Sequence, residues 1–204
     1  MKLLWGIPLF SIPITYLFNN GNGKVDPIIG LITALAGLAT AIVLFLQKDE
    51  IKLPAIVVTT EKIAKIVKFV GFIIRYSNEK QLDPILTCSV IAIESGGNPK
   101  AYRDEPHIND GSIGLMQILF GTAKSVGYSG TNEGLFDPET NIKYGTKYLS
   151  KCYLSEKGDV YNTFRAYNGG TTWRKSSAKA LKMTETHANK GIAVYNYLKK
   201  EIKL

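Results

Sequence analysis

The sequence predicts a mainly α-helical domain at residues 55–204, joined by a short linker, 48–54, to a membrane-anchoring region at 1–47. Three observations point there. Pro27–Leu46 runs 20 residues without a charge, about the length needed to cross a hydrocarbon core of roughly 30 Å. Beyond residue 55, apolar residues recur at helical spacing, with Gly, Pro and Asn at the breaks between such stretches. No alternating strand pattern stands out in the same region.

The apolar run stops at Lys48, Asp49 and Glu50. Twenty uninterrupted apolar residues argue for a transmembrane helix over a buried core helix. Gly30, Ala34, Gly37 and Ala41 form one stripe of small residues, which lets a lipid-embedded helix or a partner protein approach closely. Leu3–Phe18 is also uncharged but carries Pro8 and Pro13, and only Lys2 precedes it. Asn19–Gly23 is a poor cleavage site. A first membrane segment of a helical hairpin therefore fits better than a secretory signal. The turn holds only Lys24 against Asp26, so the charge rule leaves orientation open.

After the linker, Thr59 or Thr60 can cap a helix with Glu61 in its first turn. Ile63, Ile66, Val67, Val70, Ile73 and Ile74 lie opposite Lys62, Lys65, Lys68 and Arg75. Such a basic amphipathic helix lies either on a lipid surface or against the following domain as its first packed helix. Asp83-Pro84 then places a cap before proline at the first helical position, and the helix runs to Gly96-Gly97. Further helices are expected at about Leu115–Val126, Pro138–Tyr153, Val160–Ala166 and Glu185–Lys200. The result should be a helical domain with a cleft.

Charge is unevenly distributed. The chain carries +8 from 25 basic and 17 acidic residues. Residues 165–204 hold nine Lys/Arg against Glu185 and Glu201, or 9 − 2 = +7. The bias suits an anionic cell wall, or else a solvated helix face. It does not suit nucleic acid, since no aromatic-interleaved basic motif or zinc spacing accompanies it. Cys88 and Cys152 are too few for a disulfide framework. In an oxidising compartment they could pair; otherwise they read as small core residues. His107 and His187 stand too far apart to suggest a metal site, and no cofactor is expected.

Glu94 ends the apolar helix, with Val90 and Ile91 as aliphatic neighbours on its face. A carboxyl group against apolar side chains resists ionisation, as a general acid requires. Four motifs surround it. They are Glu94-Ser95-Gly96-Gly97-Asn98-Pro99, Gly111–Ile118 (GSIGLMQI), Phe136–Ile142 (FDPETNI) with Gly145, Tyr148 and Leu149, and Ala166-Tyr167-Asn168-Gly169-Gly170. In this order and spacing they resemble the soluble-type (SLT) lytic transglycosylases, which share a lysozyme-like core with goose-type lysozymes. The resemblance covers about residues 68–172. Ala101–Asp110 departs from the family's usual sequence, Gly121 stands where proline is usual, and the likeness fades after Gly170.

The resemblance implies a single catalytic carboxyl. Glu94 would protonate the glycosidic oxygen of peptidoglycan while the sugar's acetamido group stabilises the anomeric carbon. Ionised Glu94 would then take the C6 hydroxyl proton as a 1,6-anhydro ring closes. By motif position, Ser95 orients the acid or contacts the acetamido group, or simply caps the helix. Gln117 offers an amide to sugar hydroxyls, and Met116 is an apolar wall or core residue. Tyr167 stacks on a sugar or hydrogen-bonds Glu94, Asn168 holds the acetamido or peptide stem, and Tyr144 is a further groove residue. Two alternatives stay open. One is a muramidase using Asp104, Glu105 or Asp110 as second carboxylate; the other is a non-catalytic wall-binding membrane protein. The implied location is a membrane, with the domain facing peptidoglycan, in a bacterial envelope or a lipid-containing virion.

Overall fold

The computed structural model describes residues 60–201. Both candidate membrane segments, Leu3–Phe18 and Pro27–Leu46, and the linker lie outside that range. Among the described residues no helix is long and apolar enough to cross a membrane.

The amphipathic stretch after the linker forms two helices, α1 (Thr60–Val67) and α2 (Val70–Glu79), separated by a turn at Lys68-Phe69. Ile63, Ile66, Val70, Ile73 and Ile74 are buried in the main core. These helices therefore belong to the domain and do not present an apolar stripe to lipid. Next comes α3 (Pro84–Glu94), the central helix. All of Ile85–Ala92 is buried, as expected of a helix that is apolar nearly all round. Asp83 starts it, accepting from the Ile85 amide at 2.9 Å, with Pro84 at the first position. The polar residues inside it are satisfied locally: Ser89 donates to the Ile85 carbonyl, and Thr87 pairs with Ser77. Gly96 and Gly97, at φ +60° and +82°, end the helix in a conformation that side chains resist.

The main departure from expectation follows. Residues 102–119 form a three-stranded antiparallel sheet of β1 (Tyr102–Glu105), β2 (Asp110–Ile113) and β3 (Ile118–Leu119), in the order β1-β2-β3. Tyr102 pairs with Ile113 and Glu105 with Asp110, while Ile113 pairs with Ile118. The helix expected from Leu115 accordingly starts only at Phe120, as α4 (Phe120–Ser125). Asp110 holds this corner, accepting from the amides of Gly111, Phe120 and Gly121 at 2.7, 3.0 and 2.9 Å. Ile113, Ile118, Ala123 and Leu135 make a small core beneath the sheet.

Three helices complete the domain: α5 (Pro138–Ser155), α6 (Val160–Gly169) and α7 (Ala178–Glu201). Asp137 caps α5 and Asp159 caps α6 through their side chains. α7 starts well before the expected Glu185 and packs along α3 and α6. Cys88 and Cys152 are buried free thiols of the main core. The pairing left open by the sequence is not made.

Candidate active site

Three helices bring the site together. Glu94 lies at the C-terminal end of α3, where the apolar helix emerges into a groove of about 560 Å³. One face of α7 forms the opposite wall. Lys179, Lys182, Met183, Thr186, His187 and Lys190 fall at helical spacing and all line the groove. Ile93 of α3, Arg103 of β1 and Asn168 of α6 complete it.

The closest contact to Glu94 is one the sequence did not suggest. His187 Nε2 stands 2.8 Å from Glu94 Oε1, and each side chain is 14% exposed. Nδ1 of the same ring lies 3.1 Å from the Phe164 carbonyl on α6. Several contacts set the height of α7 against α6. Arg165 donates to the Thr184 hydroxyl and the Leu181 carbonyl, at 3.1 and 3.2 Å. Gly191 leaves no room for a side chain against the Phe164 ring. A sequence signal for His187 existed. Thr184, Ala188 and Gly191 mark the inner side of α7, and His187 lies one position from that stripe.

The other expected site residues divide clearly. Asn168 is exposed and lines the groove beside Glu94. Ser95 uses its hydroxyl on backbone, donating to the Leu115 carbonyl at 2.7 Å and accepting from the Gly97 amide at 3.2 Å. It fastens the end of α3 to the turn after β2 and touches Glu94 only through the chain. Met116 is fully buried against Gly145; its place is the core and not a groove wall. Tyr167 is also buried, and its hydroxyl donates to the Met116 carbonyl at 2.8 Å, so it neither bonds Glu94 nor offers a stacking face. Burial first, and then the nearby Glu94 carboxylate, hold its phenol well above the usual range. Gln117 is in the left-handed region, at φ 46°, and donates its amide to the carbonyls of Ala101 and Gly114. Tyr144 packs against Tyr128, ring centroids 4.9 Å apart, and does not line the groove.

The possible second carboxylates also stand elsewhere. Asp110 has both oxygens on backbone amides, and Glu105 accepts from Arg103 and Ser112. Asp104 is exposed on β1, and none of the three lines the groove. Among the described residues, no three His, Cys, Asp or Glu side chains gather as a metal site. One carboxyl, held by an imidazole and ringed by Arg103, Lys179, Lys182 and Lys190, can give and take a proton beside an anionic ligand.

The chain is similar to known proteins in sequence and in fold. A transglycosylase of Enterobacteria phage PRD1 is 38% identical over 103 residues, which cover 50% of this chain and 35% of the phage protein. The membrane-bound lytic murein transglycosylase E of Buchnera aphidicola subsp. Acyrthosiphon pisum is 33% identical over 137 residues, covering 58% of this chain and 60% of that protein. The chain thus spans about a third of the first relative and three-fifths of the second. The solved structure of an inactive mutant of lytic transglycosylase Slt from Pseudomonas aeruginosa has the same fold. It matches with a TM-score of 0.60 at 18% identity, over 87% of this chain and 30% of that one. The transglycosylase SLT domain model matches residues 71–190, beyond the reach of the four motifs and into the first half of α7. Since that match takes in α2, Glu94 and the helix carrying His187, the chain belongs to the transglycosylase SLT domain family.

Proposed function

We propose that the protein is a membrane-anchored lytic transglycosylase. It would cleave the β-1,4 bond between N-acetylmuramic acid and N-acetylglucosamine in peptidoglycan, leaving a 1,6-anhydro end. The observation that carries this reading is that Glu94, at the end of an apolar helix, is the single carboxylic acid lining the groove among the described residues. A hydrolase of the usual kind sets two carboxyl groups across the bond, and Asp104, Glu105 and Asp110 all stand outside the groove. One carboxyl serves both steps. Glu94 passes its proton to the glycosidic oxygen as the bond from that oxygen to the anomeric carbon breaks, and the acetamido oxygen bonds that carbon from the opposite face. The Glu94 carboxylate then accepts the C6 hydroxyl proton, and that oxygen displaces the acetamido group to close the anhydro ring. Anchoring rests on Pro27–Leu46, long enough to span a bilayer, and the stripe Gly30/Ala34/Gly37/Ala41 would serve helix or partner contacts. A membrane-tied domain of this kind suits local wall opening, in a bacterial envelope or in a lipid-containing virion.

The test is digestion of purified peptidoglycan by the full chain, with mass spectrometry of the products. Anhydro ends are expected, and Glu94→Gln should lower release by about 10²–10⁴ while leaving helicity unchanged. In the same preparation the full chain should stay with membranes after alkaline washing. Reducing ends would mean hydrolysis, and release unaffected by Glu94→Gln would remove the proposed acid. A chain that binds the wall without cutting it would be the non-catalytic alternative.

A further inference from the structure

The contact between Glu94 and His187 has a consequence for which oxygen does the chemistry. The Phe164 carbonyl can only accept, so at 3.1 Å Nδ1 of His187 must carry a hydrogen whatever the charge on the ring. The 2.8 Å contact between Nε2 and Glu94 Oε1 therefore needs one further proton. It sits either on Oε1, facing a neutral ring, or on Nε2, as an imidazolium facing a carboxylate. In both cases Oε1 is occupied by the ring. The oxygen left to face the groove is Oε2.

Resting on the reading of Glu94 as acid and base, we propose that His187 is its positioning residue. The ring holds Oε1 so that Oε2 gives and takes the proton, and it carries the countercharge when Glu94 ionises. The proton balance is definite. A proton on Oε1 is committed to the ring and cannot reach the substrate. The acid-competent pair thus holds two protons, one on Oε2 and one on Nε2, besides that on Nδ1. Transfer to the glycosidic oxygen leaves carboxylate and imidazolium facing each other, a charge-assisted pair. Oε2 recovers its proton from the C6 hydroxyl, and the pair ends as it began.

Arg103 on β1, paired with Glu105 at 2.6 Å, and Lys179, Lys182 and Lys190 on α7 itself line the same groove. From α6, Tyr167 stands near Glu94 with its proton committed to the Met116 carbonyl. Arg165 is turned to Thr184 and Leu181.

Asparagine and glutamine separate the two ring nitrogens. His187→Asn keeps an amide donor near Nδ1, for Phe164, and leaves Oε1 empty. His187→Gln places an amide donor near Nε2 but cannot change its charge. In the full chain, His187→Asn should lower kcat on soluble glycan strands by about 10–100-fold, by analogy with the loss of an outer partner that orients a metal-bound ligand, with KM and Tm little changed. His187→Gln should recover much of that loss. The pH profile of kcat should differ between His187→Gln and the parent, because an amide cannot take up the proton that the ring holds. A readout independent of activity is nitrogen NMR of the two histidines, with His107→Gln as the assignment control. It should show His187 protonated at Nδ1, and an Nε2 signal that shifts in Glu94→Gln. A kcat in His187→Asn within twofold of the parent, or an Nε2 signal indifferent to Glu94→Gln, would overturn the proposal. If the parent cuts no peptidoglycan at all, the acid-base reading fails, and the NMR still decides whether the pair exists.

Discussion

Burial governs the two thiols more than their sequence positions do. Cys88 is enclosed by the main core, and desolvation pushes its thiol up to about 12. Cys152 is likewise held up to about 12 by burial, against a hydrogen bond with Tyr148 that lowers it. An unfolded thiol ionises near pH 9, so above that pH the unfolded chain releases protons that the native chain keeps. These two groups therefore make stability fall as pH rises from about 9 towards 12. The urea midpoint of Cys88→Ala/Cys152→Ala should drop less steeply over that interval than the parent's, and neither thiol should react with a bulky disulfide reagent before unfolding. A parallel pH dependence would mean the thiols are not buried as described. The same influence explains which single residues were legible in the sequence. Glu94 was, because an acid at the end of an apolar helix stands out chemically. Met116 and Tyr167 belong to the motifs, yet one fills the core and the other holds a carbonyl. A motif does not say whether a side chain touches the substrate or the backbone beneath it. His187 was missed because its partner lies 93 positions away.

Elements are held in place by a few buried polar joints, and Glu156 is the one most open to test. It follows the last turn of α5, with its side chain 2% exposed. It accepts from Trp173 Nε1 at 3.1 Å and from both terminal nitrogens of Arg174, at 2.9 and 2.6 Å. The Trp173 ring lies between the guanidinium groups of Arg165 and Arg174, at 3.9 and 4.3 Å. Hydrogen bonds from Arg174 outweigh burial and hold the Glu156 carboxyl below its ordinary value of 4.5. Its contribution to stability is thus present above about pH 4.5 and lost as the pH falls through the lower, folded value. Because the Arg174 side chain is 56% exposed, solvent screens the pair. Glu156→Gln should cost about 1–3 kcal/mol at pH 7, short of the 3–5 for a fully buried pair. Urea denaturation at pH 7 and at pH 3 checks this, since the penalty should shrink at the lower pH; an equal penalty would assign the loss to packing alone. Helices with an aspartate cap before them, α3, α5 and α6, were readable in the sequence. The sheet was not, since strands of four, four and two residues are too short to show alternation, and β1 is exposed along most of its length. The first turns of α7 were missed for a related reason. Its inner stripe there is small and polar, as at Thr184, and periodicity is read from large apolar residues.

Over the whole molecule, charge is sorted along the chain, and three lysines of its basic end line the groove. Residues 78–164 carry eight basic and eleven acidic residues, 8 − 11 = −3, against +7 for residues 165–204. That asymmetry was legible in the sequence, but the particular lysines were not. Lys179 and Lys182 of that basic end line the groove, and Lys190 joins them two turns on. Lys175 sits on the short turn Trp173–Lys175 and lies outside the groove lining. With Arg103 they put four cations in the groove lining with Glu94, the only acid there among the described residues. Exposed charges act over about 8 Å at physiological ionic strength, and they shape association and its salt dependence more than affinity at high salt. Lys182 loses little to its neighbour Glu185, at 3.3 Å, because both side chains are solvated. Single neutralisations then separate position from net charge. Lys182→Gln and Lys175→Gln each remove one charge. If the groove draws in the anionic wall, Lys182→Gln should weaken cosedimentation with purified peptidoglycan at low salt more than Lys175→Gln does. The difference should vanish near 1 M salt, where the screening length is about 3 Å. Equal losses from the two substitutions would mean that the basic end of the chain acts through its total charge, and that the place of Lys182 beside Glu94 has no part in wall binding.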